Sequence, residues 1–234
     1  MRLFCFPYAG GGDSIFRSWQ EGFSDRIEVC PVQLPGRDLR IAEPPYTDMD
    51  QLVRVAAQAL APHLDRPFAL FGHSMGALIA FELARYLKKE YSARPVHLFV
   101  SGRCSPQTMS EPLDLQLFDC KFPEILRHNN GTSEEALENP ELMDLVLPVL
   151  RADLLLCNSY IYTPGPPFSC SITAFGGHED HGVPRHCLEG WREHTTERFL
   201  LRMLPGDHFF LNSSRLPLVE AISKELEQDT LQSL

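Results

Sequence analysis

Hydrophobic and polar positions follow two different periods along this chain. Short, nearly continuous apolar runs bounded by turn residues are typical of strands buried on both faces of a parallel sheet. We predict such strands at residues 2–8, 27–33, 67–71, 96–101, 169–175 and 199–204. Apolar residues recur at helical spacing in between, which predicts helices at residues 48–64 and 77–88 and a closing helix at 216–226. This alternation predicts an α/β fold with a doubly wound, mostly parallel sheet.

The pattern changes in the middle of the chain. Residues 106–160 contain no convincing strand pattern. Helix-like pieces occur there at residues 113–126, 133–138 and 140–158. We interpret the segment as a helical insertion, which would act as a lid if it lies over the carboxyl edge of the sheet. The expected organisation is one domain over residues 1–234 with this lid insertion, since single α/β domains of such length are common.

Composition and charge exclude several classes of function. The chain carries 21 basic and 31 acidic residues, a net charge of −10, which does not favour binding to nucleic acid or anionic membranes. No apolar run reaches the ~18 residues of a membrane span. The apolar start before Pro7 is too short for a signal peptide, so we expect a cytoplasmic protein. The seven cysteines form no CxxC pair, which predicts buried reduced thiols and no metal site.

The segment Gly72-His73-Ser74-Met75-Gly76 has the Gly-x-Ser-x-Gly pattern of a nucleophile elbow. It follows a predicted strand and precedes a predicted helix, which is the context that such an elbow needs. The two glycines leave space for Ser74 to occupy a strained turn with its Oγ exposed. The pattern therefore predicts Ser74 as a catalytic nucleophile.

A serine hydroxyl needs a base to remove its proton, and in this fold the partners follow in the order Ser, Asp, His. His208 is the predicted base among nine histidines, because its loop directly follows the last predicted strand. His73 lies inside the elbow, while His178 and His181 flank the predicted acid, so these three are less favoured.

The acid is predicted at Asp180, which also directly follows a strand. Glu179, Asp207 and Asp153 are the alternatives. Asp153 lies in an apolar helix-like stretch, where a salt bridge or helix pairing is the simpler explanation.

Acyl transfer also needs two backbone amides that stabilise an oxyanion. The residue after the nucleophile, Met75, supplies one, and the glycine-rich turn after the first strand supplies the other through Ala9 or, as an alternative, Gly10. A nucleotide site in this turn is disfavoured, since the dinucleotide pattern fails at Ile15 and no Gly-Lys-Ser/Thr follows.

Five ordered segments carry a family resemblance: LFCFPYAGG at 3–11, VQLPGR at 32–37, FGHSMGA at 71–77, LRAD at 150–153 and GDHFFL at 206–211. Together they resemble the type II (external, editing) thioesterases of nonribosomal peptide and polyketide synthesis, relatives of the thioesterase that terminates fatty-acid chains. The resemblance implies an α/β-hydrolase fold with a helical lid. It implies these site residues: a triad of Ser74, Asp180 and His208, and an oxyanion hole of Met75 and Ala9.

The resemblance also implies a substrate, namely acyl groups, often short or misloaded, on the phosphopantetheine arm of a carrier protein. Their release would restore stalled synthases, and no cofactor or metal of the enzyme's own is expected. Carrier proteins of this kind are usually acidic, as is this chain, so we predict transient docking through a local basic patch. The candidates are Arg17, Arg37, Arg40 and Arg103, with apolar contacts from the insertion.

The residues alone indicate only acyl-transfer machinery. A general acyl-CoA thioesterase, a small-molecule carboxylesterase or an acyltransferase of the same fold is therefore an alternative. A catalytically silent binding protein is a third interpretation, disfavoured because all three triad residue types stand in the expected places.

Overall fold

A computed structural model describes residues 1–108 and 140–232 of the chain. Within this part, one sheet of six strands has the order β2-β1-β3-β4-β5-β6, and every neighbouring pair is parallel. The strands are β1 (Arg2–Phe6), β2 (Glu28–Pro31), β3 (Phe68–His73), β4 (His97–Ser101), β5 (Ser171–Gly177) and β6 (Phe199–Leu204). The order reverses direction on either side of β1, so the predicted doubly wound α/β sheet is confirmed.

Helices follow most of the strands. They are α1 (Met49–Leu60), α2 (Met75–Glu90), α3 (Pro140–Ser159), α4 (Arg185–Glu189), α5 (Phe210–Ser213) and α6 (Arg215–Gln232), and short 3-10 turns lie between them. Asp48 caps α1 by accepting a hydrogen bond from the Gln51 amide at 2.7 Å. None of the helices within residues 1–108 and 140–232 is long and apolar enough to cross a membrane.

Apolar side chains fill both faces of the sheet. In β1, Phe4 and Phe6 pack with α1 and α2 on one face, while Leu3 and Cys5 pack with α6 on the other. This period of two within a wholly apolar run is what a strand between two helical layers requires. Because all strands are parallel, their carboxyl ends meet at one edge of the sheet.

The nucleophile elbow is tighter than the sequence pattern predicts. β3 extends to His73 rather than ending at Phe71, and α2 begins at Met75 rather than Ala77. Ser74 is therefore the single residue between strand and helix.

The predicted insertion is described only at its two ends. Residues 140–158 are helical as predicted, since they form most of α3. The helix-like pieces predicted at residues 113–126 and 133–138 lie outside the described residues.

Two cysteines contradict the expectation of uniformly reduced thiols. Cys104, after β4, forms a disulfide with Cys187 in α4, while Cys5, Cys157 and Cys170 are free and buried as expected. The two cysteines are separated by 83 residues, so no short cysteine motif in the sequence could predict their pairing. The backbone joins the same two segments, because the Ser105 amide donates to the Cys187 carbonyl at 3.2 Å.

We expect reduction of this disulfide to lower the free energy of unfolding by about 2–5 kcal/mol, because it releases a long loop in the unfolded chain. For a chain of this size the melting temperature should fall on the order of 10 °C. Calorimetry with and without reductant measures the effect, and a Cys104→Ala/Cys187→Ala variant should be insensitive to reductant. Alkylation of both cysteines in the unreduced, denatured wild type would contradict the pairing.

Candidate active site

Ser74 occupies a backbone conformation that side chains rarely adopt, with φ of 54° and ψ of −113°. The neighbouring glycines explain how the turn is tolerated. A Cβ atom on Gly72 would lie 2.0 Å from the Gly76 carbonyl oxygen, and a Cβ on Gly76 would lie 2.2 Å from the Phe6 carbonyl oxygen. Both contacts are far too short, so only glycine fits at either position. The strain at Ser74 presents its side chain at the carboxyl edge of the sheet.

His208 lies within hydrogen-bond distance of the serine, with its Nε2 atom 3.1 Å from the Ser74 Oγ. It follows β6, and the turn between them passes through Gly206, whose φ of +112° favours glycine. The imidazole thus reaches the elbow from a strand that lies three positions away from β3 in the sheet.

Asp180 completes the chain of hydrogen bonds. Its Oδ2 lies 2.6 Å from the His208 Nδ1, and its Oδ1 accepts from the amides of Gly182 at 3.1 Å and Val183 at 3.2 Å. The carboxylate is buried, so these donors hold it in one orientation. With Nδ1–H bonded to Asp180, the His208 Nε2 has a lone pair for the serine proton.

The other candidate acids lie elsewhere. Glu179 is exposed, and the Asp207 carboxylate accepts a hydrogen bond from the Phe209 amide at 2.8 Å. Asp153 is buried in an ion pair with Arg37, in which both N–O distances are 2.8 Å. The salt-bridge interpretation of Asp153 is therefore the one that the geometry supports.

His73 has a role that the sequence did not reveal. Its Nδ1 lies 2.8 Å from the Ser101 Oγ, and its Nε2 lies 2.9 Å from the His208 backbone oxygen. Burial, with a smaller contribution from His208, lowers the pKa of His73 well below its usual value, so the ring is neutral at pH 7. The neutral ring then donates from Nε2 to the His208 carbonyl and accepts from the Ser101 hydroxyl. In the sequence, the position of His73 directly before the nucleophile is the feature that could have indicated a role for it at the site.

Two backbone amides near the elbow have no acceptor within the described residues. Among residues 1–108 and 140–232, no acceptor lies on the amide of Met75, at the start of α2, or on that of Ala9. The Gly10 amide, by contrast, donates to the Asp153 Oδ2 at 2.7 Å. The turn after β1 lies against the elbow, because a Cβ on Gly76 would also be 2.7 Å from the Pro7 carbonyl oxygen. Ala9 is thus available as an oxyanion donor, and Gly10 is not.

This arrangement contains the parts of a covalent acyl-transfer site: a strained serine, an oriented imidazole and two amides that have no acceptor among the described residues. In the part of the chain that the structure describes, no group of three or more His, Cys, Asp or Glu side chains is placed to hold a metal ion.

Comparison with known proteins gives the family. The model of the thioesterase domain matches residues 1–228. The chain belongs to the thioesterase family. It is 50% identical to the gramicidin S biosynthesis protein GrsT of Aneurinibacillus migulanus over 227 residues, 97% of this chain and 89% of the relative.

Solved structures agree with this assignment. This thioesterase is similar to RedJ, a thioesterase from the prodiginine pathway in Streptomyces coelicolor, with a TM-score of 0.91 and 46% identity over 96% of this chain and 90% of that one. It is also similar to BorB, a type II thioesterase from the borrelidin biosynthetic cluster, with a TM-score of 0.88 and 35% identity over 96% and 92%. The predicted α/β-hydrolase fold and the predicted thioesterase resemblance are confirmed.

We expect Ser74→Ala to abolish nearly all thioester hydrolysis while leaving the fold intact, because the variant lacks the Oγ nucleophile. Hydrolysis rates and labelling with a serine-directed fluorophosphonate measure the effect. The wild type should be labelled at Ser74 alone and the variant should not be labelled. Full activity of the variant would exclude the serine mechanism.

We expect Asp180→Asn to lower turnover about a hundredfold or more, because an amide cannot fix the tautomer or stabilise the imidazolium of His208. Asp153→Asn is the matched control, since it changes an equally buried aspartate and should act mainly on stability. Steady-state rates and melting temperatures of both variants separate the two effects. The reverse order of rates would move the acid to Asp153.

Proposed function

We propose that this thioesterase is an external, editing enzyme of nonribosomal peptide or polyketide synthesis. It would hydrolyse acyl thioesters on the phosphopantetheine arms of carrier proteins through an acyl-enzyme on Ser74. The hydrogen-bonded series Ser74, His208 and Asp180 carries the proposal, in a chain that matches the thioesterase family over residues 1–228. The description of BorB as type II and the naming of GrsT for gramicidin S biosynthesis support the substrate class.

The proposed reaction has two halves. In the first, the His208 Nε2 removes the Ser74 proton as Oγ attacks the thioester carbonyl, and the oxyanion accepts hydrogen bonds from the Met75 and Ala9 amides. The C–S bond then breaks and the imidazolium returns its proton to the departing thiolate. In the second half, His208 removes a proton from water as the water oxygen attacks the acyl carbonyl. The bond from the carbonyl carbon to the Ser74 Oγ then breaks, the imidazolium returns the proton to Oγ, and the acid leaves.

Two of the four arginines predicted for carrier docking already interact with other groups of the protein. Arg37 is only 7% exposed and its charge is paired with Asp153, and Arg103 is partly exposed and has interactions of its own. The prediction for Arg37 is therefore wrong. Arg17 is exposed, and Arg40 is partly exposed beside Glu43.

An apolar surface next to Arg40 supports a revised docking site. Leu39 is 93% exposed and Ile41 is 51% exposed, and both flank Arg40 in the loop after β2. This loop contacts the turn after β1, because the Asp13 amide donates to the Asp38 Oδ2 at 3.2 Å. Docking there would bring a carrier next to the Ala9 side of the active site.

We expect a higher kcat/KM for an acyl group on a carrier protein than for the same acyl group on free coenzyme A, because only the carrier contacts the surface around Leu39. Kinetics with both substrates measure the ratio. Leu39→Asp should lower kcat/KM for the carrier and leave the coenzyme A value unchanged. Equal efficiency on both substrates would leave a general acyl-CoA thioesterase, while faster turnover of oxygen esters would indicate a carboxylesterase.

A further inference from the structure

Arg37 and Asp153 form a buried ion pair that joins α3, which lies in the predicted insertion, to the loop after β2. Asp153 is 2% exposed, and its two oxygens each accept from a different Arg37 nitrogen at 2.8 Å. Such a pair costs much desolvation and is weak evidence for a purely stabilising role, since apolar residues of similar size are often as stable. The remaining contacts of the pair indicate what else it does.

Both charged groups also hold the backbone of the turn after β1. The Asp153 Oδ2 accepts the Gly10 amide at 2.7 Å, and the Arg37 Nη1 donates to the Gly11 carbonyl at 3.1 Å. Within the turn, the Gly11 amide donates to the Tyr8 carbonyl at 2.9 Å. Consecutive peptide groups of the turn are therefore fixed by hydrogen bonds.

The direction of the Ala9 amide follows from these bonds. The Tyr8 carbonyl and the Ala9 amide belong to one peptide group, which is planar and trans, so they point in opposite directions. The Tyr8 oxygen points into the turn, toward the Gly11 amide. The Ala9 N–H, on the other side of the same peptide group, therefore points out of the turn. Rotation about the Gly10 backbone would move the Gly11 amide away from the Tyr8 carbonyl and so release the peptide group that carries the Ala9 N–H. The bond from the Gly10 amide to Asp153 opposes this rotation.

A second contact from α3 covers the same turn. Leu150 lies about one helical turn before Asp153, and its Cδ1 would be 3.3 Å from a Cβ atom on Gly10. Gly10 has a φ of +77°, in the region that favours glycine, and a residue without a Cβ atom has few steric barriers of its own against rotation. Leu150 packs against one side of Gly10, and Asp153 binds its amide.

We infer that Asp153 and Arg37 are positioning residues for the Ala9 oxyanion donor. The oxyanion hole is then complete only when α3 packs on the turn, so α3 is part of the catalytic apparatus. This inference rests on the proposed function, because it assigns Ala9 to the tetrahedral intermediate. The inference goes beyond the proposed function because it gives a catalytic role to the Arg37–Asp153 pair, which does not contact Ser74 directly.

Two double variants test the inference, both without the buried charges. Arg37→Gln/Asp153→Asn keeps an oxygen that can accept the Gly10 amide. Arg37→Met/Asp153→Leu has similar volume and lacks that acceptor. We measure melting temperature, kcat, KM and the inhibition constant of a trifluoromethyl ketone analogue of the substrate, which forms a tetrahedral adduct with the serine.

We expect the Gln/Asn variant to keep kcat within about threefold of wild type. The Met/Leu variant should lose about 10- to 100-fold in kcat with little change in KM, because oxyanion donors act mainly on the transition state. Its inhibition constant should rise by the same factor as kcat/KM falls, whereas a merely structural role would not move this constant. If the Met/Leu variant does not fold, Arg37→Gln/Asp153→Ser, whose hydroxyl is too short to reach Gly10, replaces it with the same expected losses.

Wild-type kcat and inhibition in a folded variant without the acceptor would overturn the inference. Equal losses in the variants with and without the acceptor would also overturn it, since the bond to Gly10 would then not be the cause. Failure of the proposed function would be seen in different measurements, namely the kcat/KM of the wild type on carrier substrates and the hydrolysis rate of Ser74→Ala. The inhibitor comparison requires only a reactive Ser74, whatever the natural thiol carrier is.

Discussion

Close contact between three backbone segments at the elbow is the constraint on which the rest of the site depends. β1, β3 and α2 approach so closely that a side chain on Gly72 or Gly76 would overlap a carbonyl group. The contact forces Ser74 into its strained conformation and places the first turn of α2 behind it. It also brings the turn after β1 beside the nucleophile. The places of the Met75 and Ala9 amides beside Ser74 therefore follow from backbone packing, and the Arg37–Asp153 pair adds the hydrogen bonds that hold the turn after β1.

The sequence predicts the fold and the three side chains of the proposed triad because both depend on chain order. A parallel sheet places every strand's carboxyl end at one edge, so a residue directly after β3, β5 or β6 must lie there. Ser74, Asp180 and His208 were identified by this rule, and the structure brings them within hydrogen-bond distance. The prediction for β2 was less accurate. It is an edge strand of two exposed and two partly buried residues, and the predicted run was longer because apolar residues continue into the following loop.

What the sequence could not predict are contacts between residues far apart in the chain. An arginine normally indicates a surface position, yet Arg37 is buried because its partner stands 116 residues away on α3. The Cys104–Cys187 disulfide and the bond from His73 to the His208 backbone have the same character. The hydrophobic periodicity of the sequence does not indicate such pairs, since each residue alone is compatible with a more common environment, such as an exposed arginine or a buried free cysteine. The family resemblance included the segments around Arg37 and Asp153, but only the structure shows that the two residues contact each other.

The distances along the chain between the reacting groups also bear on the time course of folding. His208 and Ser74 are 134 residues apart, and they meet only when β3, β5 and β6 are aligned in one sheet. Parallel pairing of distant strands is slow, because loop closure must precede the contacts that stabilise it. Trp19 and Trp191 are fully buried in the two separate layers, so their fluorescence reports collapse of each layer. Hydrolysis, in contrast, returns only with the last strand in register, which makes enzyme activity the latest signal of a refolding chain.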